Sequence, residues 1–137
     1  MKREKELVVG PIIDWANKNG WHLFVVNSSA VFNPTLGIYL SSQAPIGCSD
    51  MLGTTPQGNS AYIEAKAPGK LNTLKEHQRD FLVRGISIGA FAVVVDSLDS
   101  LVNYHLTWLN HNNQKAYLIT LLPKIKKVRP PNLIPAW

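Results

Sequence analysis

Residues 46 to 66 read Ile46-Gly47-Cys48-Ser49-Asp50-Met51-Leu52-Gly53-Thr54-Thr55-Pro56-Gln57-Gly58-Asn59-Ser60-Ala61-Tyr62-Ile63-Glu64-Ala65-Lys66. Two runs of strand character, Ile46–Leu52 and Ala61–Lys66, flank a segment from Gly53 to Asn59 that is rich in turn formers, and this pattern predicts an antiparallel hairpin. Residues two apart on a strand share a face, so Glu64 and Lys66 project together while Ala65 points the other way. With Asp50 on the partner strand, its carboxylate meets that of Glu64. Two carboxylates so placed make an oxygen site suited to Mg²⁺ or Mn²⁺.

On the N-terminal side, Leu7, Val8, Ile12, Ile13, Trp15 and Ala16 recur at helical spacing and Gly20 stands as a stop, which predicts a first helix between Glu4 and Asn19. Pro11 costs an interior turn ~3 kcal/mol, so that helix either starts near Gly10-Pro11 or is kinked there. Trp21–Val26 and Leu36–Leu40 are short runs of branched and aromatic residues bounded by turn formers, and read as strands.

On the C-terminal side, Thr73-Leu74-Lys75-Glu76 fits a capping box that opens a second helix, with Leu74, Phe81, Leu82 and Gly85 inward and Gln78 on the same face. Ala90–Val95 is continuously apolar, as in a central strand covered on both sides. Asp96 or Ser97 caps a third helix carrying Leu98, Leu101, Val102, His105 and Leu109 inward. Tyr117–Leu122 reads as an edge strand. The predicted fold is α/β, a central mixed β-sheet flanked by helices, because the hairpin is antiparallel and the strand-helix-strand crossover parallel. One domain spans 1–122, followed by a basic, proline-containing tail over 123–137.

Lys plus Arg exceed Asp plus Glu by 14 to 9, a net charge of +5 that favours polyanionic partners. The single cysteine, Cys48, excludes an internal disulfide, and the N-terminal apolar run is too short and broken for a signal peptide. No stretch approaches the ~18–20 apolar residues of a membrane span, so no membrane association and a cytoplasmic location are expected.

Hydrolysis of a phosphodiester needs a water deprotonated near neutral pH and charge neutralised on the phosphate, and a divalent ion held by Asp50 and Glu64 supplies both. Lys66 then positions or activates that water, or stabilises the developing charge. The plain alternative makes Glu64 and Lys66 a surface ion pair and Asp50 a turn residue. His22, His77, His105 and His111 lack the paired spacing of a zinc site and read as structural or surface groups, and Cys48 as a small buried residue.

Gly47-x-x-Asp50-x-x-Gly53, Tyr62-Ile63-Glu64-Ala65-Lys66, Pro68-Gly69-Lys70-Leu71, Gln78 and Phe81-Leu82, continuing through Gly89 to Asp96-Ser97, resemble the virus-type replication-repair nuclease (VRR-NUC) family of the PD-(D/E)xK superfamily. The likeness covers residues 47 to about 100. It implies a restriction-endonuclease-like PD-(D/E)xK core and an Mg²⁺ or Mn²⁺ site formed by Asp50, Glu64 and the Ala65 carbonyl, with Lys66 as catalytic lysine. Ser49 stands where the family has proline before the aspartate.

The likeness also implies that Gln78 orients a ligand or the lysine, and that a first-helix glutamate, Glu6 with Glu4 as substitute, completes the metal site. The activity implied is cleavage of DNA by metal-activated water without a covalent intermediate. Branched DNA (a Holliday junction or flap) is the implied substrate, with the chain acting as a homodimer in a bacterial or phage-infected cell. Lys70, Lys75, Arg79 and Arg84, with the tail lysines, are the expected phosphate contacts, and Trp137 stacks on a base or packs on the domain. The rival readings are a non-catalytic nucleic-acid-binding module on the same fold and an interaction subunit docking through its tail.

Overall fold

The computed structural model describes residues 5–26, 31–40 and 45–125. Helix α1, Glu6–Lys18, runs unbroken through Pro11, so the alternative that it begins at Gly10-Pro11 is corrected. Leu7, Gly10 and Pro11 are all exposed, which leaves the carbonyl that loses its N–H partner at the proline on the hydrated side. Val8, Ile12 and Ala16 form the buried stripe.

Strands β1 (His22–Val25), β2 (Val31–Asn33), β3 (Ile38–Leu40), β4 (Met51–Thr54), β5 (Ser60–Ala65) and β6 (Phe91–Val95) make two sheets. β2 was not expected; it pairs antiparallel with β3 around an Asn33 turn whose Oδ1 accepts the N–H groups of Thr35 (2.9 Å) and Leu36 (3.1 Å). The main sheet has order β1-β4-β5-β6. β4 and β5 are the expected antiparallel hairpin and β6 joins β5 in parallel, which makes the sheet mixed. β4 starts at Met51, so Ile46–Asp50 precede the strand rather than belong to it.

β6 lies at the edge of that sheet instead of its centre, yet all five of its residues are buried. The segment Tyr117–Leu122, expected as an edge strand, belongs instead to helix α4, Gln114–Thr120, and the turn after it. Asn113 caps α4 by accepting the Ala116 N–H at 3.1 Å, and Leu118 and Leu122, four apart, are buried.

Helix α2 spans Glu76–Ser87 and follows a 3-10 turn at Leu71–Thr73. The expected Thr73/Glu76 box is replaced by another pair. The Thr73 hydroxyl donates to the Lys70 carbonyl at 2.6 Å, while Gln78 Oε1 accepts the Lys75 N–H at 2.9 Å. Helix α3, Leu98–Leu109, is capped by Ser97, whose Oγ accepts the Ser100 N–H at 3.1 Å. Its buried residues are Leu101, His105 and Trp108; Leu98, Val102 and Leu109 are only half-buried.

The parallel register Ala61↔Phe91 and Tyr62↔Ala92 sorts the two faces of the sheet. Phe91 meets Trp21, His105 and Trp108 on the α1/α3 side, with ring centroids 5.9, 5.2 and 5.1 Å away. Tyr62 meets Phe81 of α2 on the other, at 5.1 Å. His105 sits in the aromatic cluster, bonded to Gln57 Oε1 at 3.1 Å and with its pKa lowered by burial, which is the structural role expected of it. Among the described residues no helix is long and apolar enough to cross a membrane.

Candidate active site

The alternation along β5 sends Tyr62, Glu64 and Lys66 to the face covered by α2, and Ala61, Ile63 and Ala65 into the core on the α1/α3 side. The Met51↔Ile63 register, continued one step, sets Asp50 opposite Glu64. The expected pairing of the two carboxylates is therefore present, with Asp50 in the bend just before β4.

Asp50 is held by its main chain and its side chain. Its carbonyl accepts the Val26 N–H at 2.8 Å and its own N–H donates to Glu64 Oε1 at 3.2 Å. Oδ2 accepts the Ala65 N–H at 2.8 Å, and Oδ1 lies 2.6 Å from Lys5 Nζ. A strand residue sends its N–H and C=O to the same edge, so the Ala65 carbonyl leaves β5 on the Asp50 side as well.

Glu64 is 1% exposed, and its Oε2 is buried without a hydrogen-bond partner. Its carboxyl titrates at about 8, raised first by burial and then by the adjoining Asp50 carboxylate, against the opposing charges of Lys5 and Lys66. In the absence of a further cation the pair holds a proton at neutral pH.

Lys66 Nζ donates to Gln78 Oε1 at 2.9 Å, the oxygen that also caps α2. The Lys66 pKa is lowered, mainly by burial and further by the charges of Lys5 and Lys75, against the pull of Glu64 and Asp50. An amine so placed loses its proton more readily than a free lysine, which suits it to contact with water and phosphate oxygen.

The loop before Asp50 is fixed against α2 by Gly47. Its φ is +84°, and a Cβ there would stand 2.2 Å from the His77 carbonyl oxygen. Ser49 is buried with an unpartnered Oγ. The Cys48 thiol is pushed up by burial and by the Glu64 and Asp50 charges, the opposite of what a nucleophilic thiolate needs.

The structure thus brings together Asp50, Glu64, the Ala65 main chain, Lys66 and Gln78. It leaves Glu6 exposed, and among the described residues no three acidic, histidine or cysteine groups form a metal-holding set; Glu4 lies outside the described residues. The group from α1 that reaches the pair is Lys5, which sequence reasoning missed. Its signal was its place on the Lys5-Val8-Ile12-Ala16 stripe, whereas Glu6 is turned ~100° away.

Of the expected phosphate contacts, Lys70, Lys75 and Arg84 are exposed and Arg79 is half-buried. Arg79 lines a groove with Lys124 and Ile125, while Arg84 lines a separate cleft of about 430 Å³ between α2 and the loop at Pro45-Ile46. The tail beyond Ile125, with Lys126, Lys127, Arg129 and Trp137, lies outside the described residues.

The donor set fits a divalent cation. An unpartnered buried carboxylate oxygen on Glu64, the Asp50 carboxylate opposite it and the neighbouring Ala65 carbonyl are all hard oxygen donors of the kind such an ion takes. Two carboxylates leave most positions on such an ion to water and substrate phosphate, as is usual for Mg²⁺. Comparison with protein-family models, curated proteins and solved structures found no match to this chain.

Proposed function

We propose that this chain is a divalent-metal-dependent endonuclease that hydrolyses DNA phosphodiester bonds, selective for branched DNA such as a four-way junction or a flap, and working as a homodimer on a restriction-endonuclease-like PD-(D/E)xK core. The observation that carries the reading is the Glu64 carboxylate. It is buried against Asp50 with one oxygen unpartnered, on the strand face that also presents Lys66. Burying an ionisable group without a partner costs several kcal/mol, and a cation offsets that cost.

Asp50, Glu64 Oε2 and the Ala65 carbonyl would hold Mg²⁺ or Mn²⁺. When bound, the ion would neutralise phosphate charge and lower the pKa of a water. Each Asp50 oxygen retains a lone pair beyond its present contact, so Asp50 could serve the ion while keeping the Ala65 N–H. Lys66, held by Gln78, orients the attacking water on the far side of the phosphate and stabilises the charge that develops. Glu6 has no part in this arrangement. Lys75 and Lys70, exposed beside the start of α2, bind flanking phosphates without reading sequence. A second copy supplies a second site for the second strand of a branch.

The test is a panel of end-labelled DNAs, linear single- and double-stranded, flap and four-way junction, incubated with Mg²⁺, Mn²⁺ or EDTA, with the oligomeric state measured in parallel by sedimentation. Cutting of the branched substrates with either metal and none with EDTA is the expected result. Binding without cutting under every condition would move the reading to a non-catalytic nucleic-acid module.

A further inference from the structure

Tyr62 lies two residues before Glu64 on the same face of β5, ~7 Å along the strand at ~3.3 Å per residue. The cleft of about 430 Å³ opens there. Its inner wall is the Tyr62 and Phe81 ring pair, centroids 5.1 Å apart and planes inclined by 34°, both half-buried. Gly85 fixes that wall, since a Cβ there would come within 2.4 Å of the Tyr62 ring. Ile46 and Ile88, 85% and 74% exposed, flank the opening, while Arg84, His77 and Asp80 bring polar groups to it.

These features have no use in the core. Isoleucines this exposed contribute little to folding, and two aromatic rings kept partly open to a cleft leave stacking surface unused. The chemistry at the cleft matches one unit of nucleic acid. The rings and isoleucines suit a flat apolar base, Arg84 suits the phosphate attached to it, and the Asp80 carboxylate accepts a base N–H. A cleft of this volume falls in the ~300–1,000 Å³ range of small-ligand sites. A base inside a duplex is stacked on both sides and cannot enter.

We infer that the cleft between α2 and the Pro45-Ile46 loop receives one unpaired nucleobase of the nucleic-acid substrate, next to the bond presented to Glu64 and Lys66. This rests on the nuclease reading above and deepens it: among branched DNAs a flap is preferred to a fully paired four-way junction, because the flap carries unpaired bases at its branch point.

The experiment measures binding, in EDTA, of two labelled duplexes identical except that one carries a single bulged thymidine and the other a bulged abasic site. The wild type binds the thymidine bulge roughly 5- to 150-fold more tightly, the loss expected when one base–aromatic stack is removed. Phe81→Leu and Ile88→Asp bring the ratio to about one; the second variant lies on the surface, so its effect is not one of misfolding, and thermal melts check both. Lys66→Ala abolishes cleavage but keeps the ratio. Equal binding of the two duplexes by a wild type that still cuts DNA overturns the base pocket and leaves the nuclease reading intact. No binding of either duplex, and no cutting, overturns both. Dissociation of a wild-type dimer by Ile46→Asp and Ile88→Asp, with the ratio unchanged, also overturns the pocket and assigns the cleft to a second copy of this chain.

Discussion

The side chain of Gln78 joins Lys66 to the start of α2: its Oε1 accepts from Lys66 Nζ and from the Lys75 N–H, each at 2.9 Å. One amide oxygen therefore fixes both a candidate catalytic amine and a helix end. Gln78→Leu removes both bonds. The expected stability loss is about 2 kcal/mol by thermal melting, at about 1 kcal/mol for each such bond. Cleavage is expected to fall about a hundredfold, since a small displacement of a positioned group has that effect. Gln78→Glu keeps the acceptor and adds a negative charge beside Lys66, which favours the charged amine. Its pH–rate profile is expected to shift to higher pH on the basic side, a change that a purely structural role for Gln78 would not produce.

Glu64 makes stability depend on pH in a definite direction. Its carboxyl is raised from 4.5 to about 8 in the folded chain, so folding favours the protonated form. The contribution is fully present below about 4.5, where folded and unfolded states are both protonated, and is lost as pH rises towards about 8, where only the unfolded chain has already ionised. In EDTA the melting temperature is expected to fall across that window, and in Glu64→Gln this part of the fall disappears. Excess Mg²⁺ should restore stability at the upper end of the window, because an ion replaces the proton.

Lys5 neutralises Asp50 without a fixed place in the core, its side chain being 39% exposed. A pair this open contributes less than about 1 kcal/mol, so Lys5→Met is expected to change the melting temperature little. It also removes the ammonium group that competes for Asp50 Oδ1. Divalent-ion affinity, measured by calorimetry with Mn²⁺, is expected to rise severalfold. A fall in affinity would show that Lys5 supports the ion's site rather than competing for it.

Gly47 decides whether the Asp50 loop can lie on α2. A side chain there meets both a positive φ of +84° and the His77 carbonyl oxygen at 2.2 Å. Gly47→Ala is expected to cost about 2 kcal/mol or more in chemical denaturation and to weaken metal binding, since Asp50 is carried on the displaced loop.

Much of this arrangement was legible in the sequence where a local rule and the tertiary structure agree. The turn formers between Leu52 and Ala61 and the period of two along β5 gave the hairpin and the shared face of Glu64 and Lys66. The unbroken apolar run before Asp96 and the Ser97 cap gave β6 and α3.

The failures have equally local causes. Tyr117–Leu122 is an apolar run whose period does not separate helix from strand, and the Asn113 cap that decides it lies outside the run. Thr73 and Glu76 fit a capping pattern, but Leu74 is extended (φ −58°, ψ 126°) and buried, which ends the 3-10 turn and moves the cap to Lys75. The α1 stripe places Lys5 on the inward side, but its partner Asp50 lies on a distant segment that no local period points to, and the unpartnered oxygen of Glu64 is a property of burial alone.

The proposed chemistry turns most directly on Lys66. Wild type and Lys66→Ala, matched by melting temperature and by affinity for a four-way junction in EDTA, are compared for cleavage of that junction with saturating Mg²⁺. Cutting by the wild type and loss of at least about a hundredfold in the variant, with junction binding retained, are the expected results. Equal rates of cutting by the two proteins, or no metal-dependent cutting of any DNA by the wild type, would contradict the proposed chemistry.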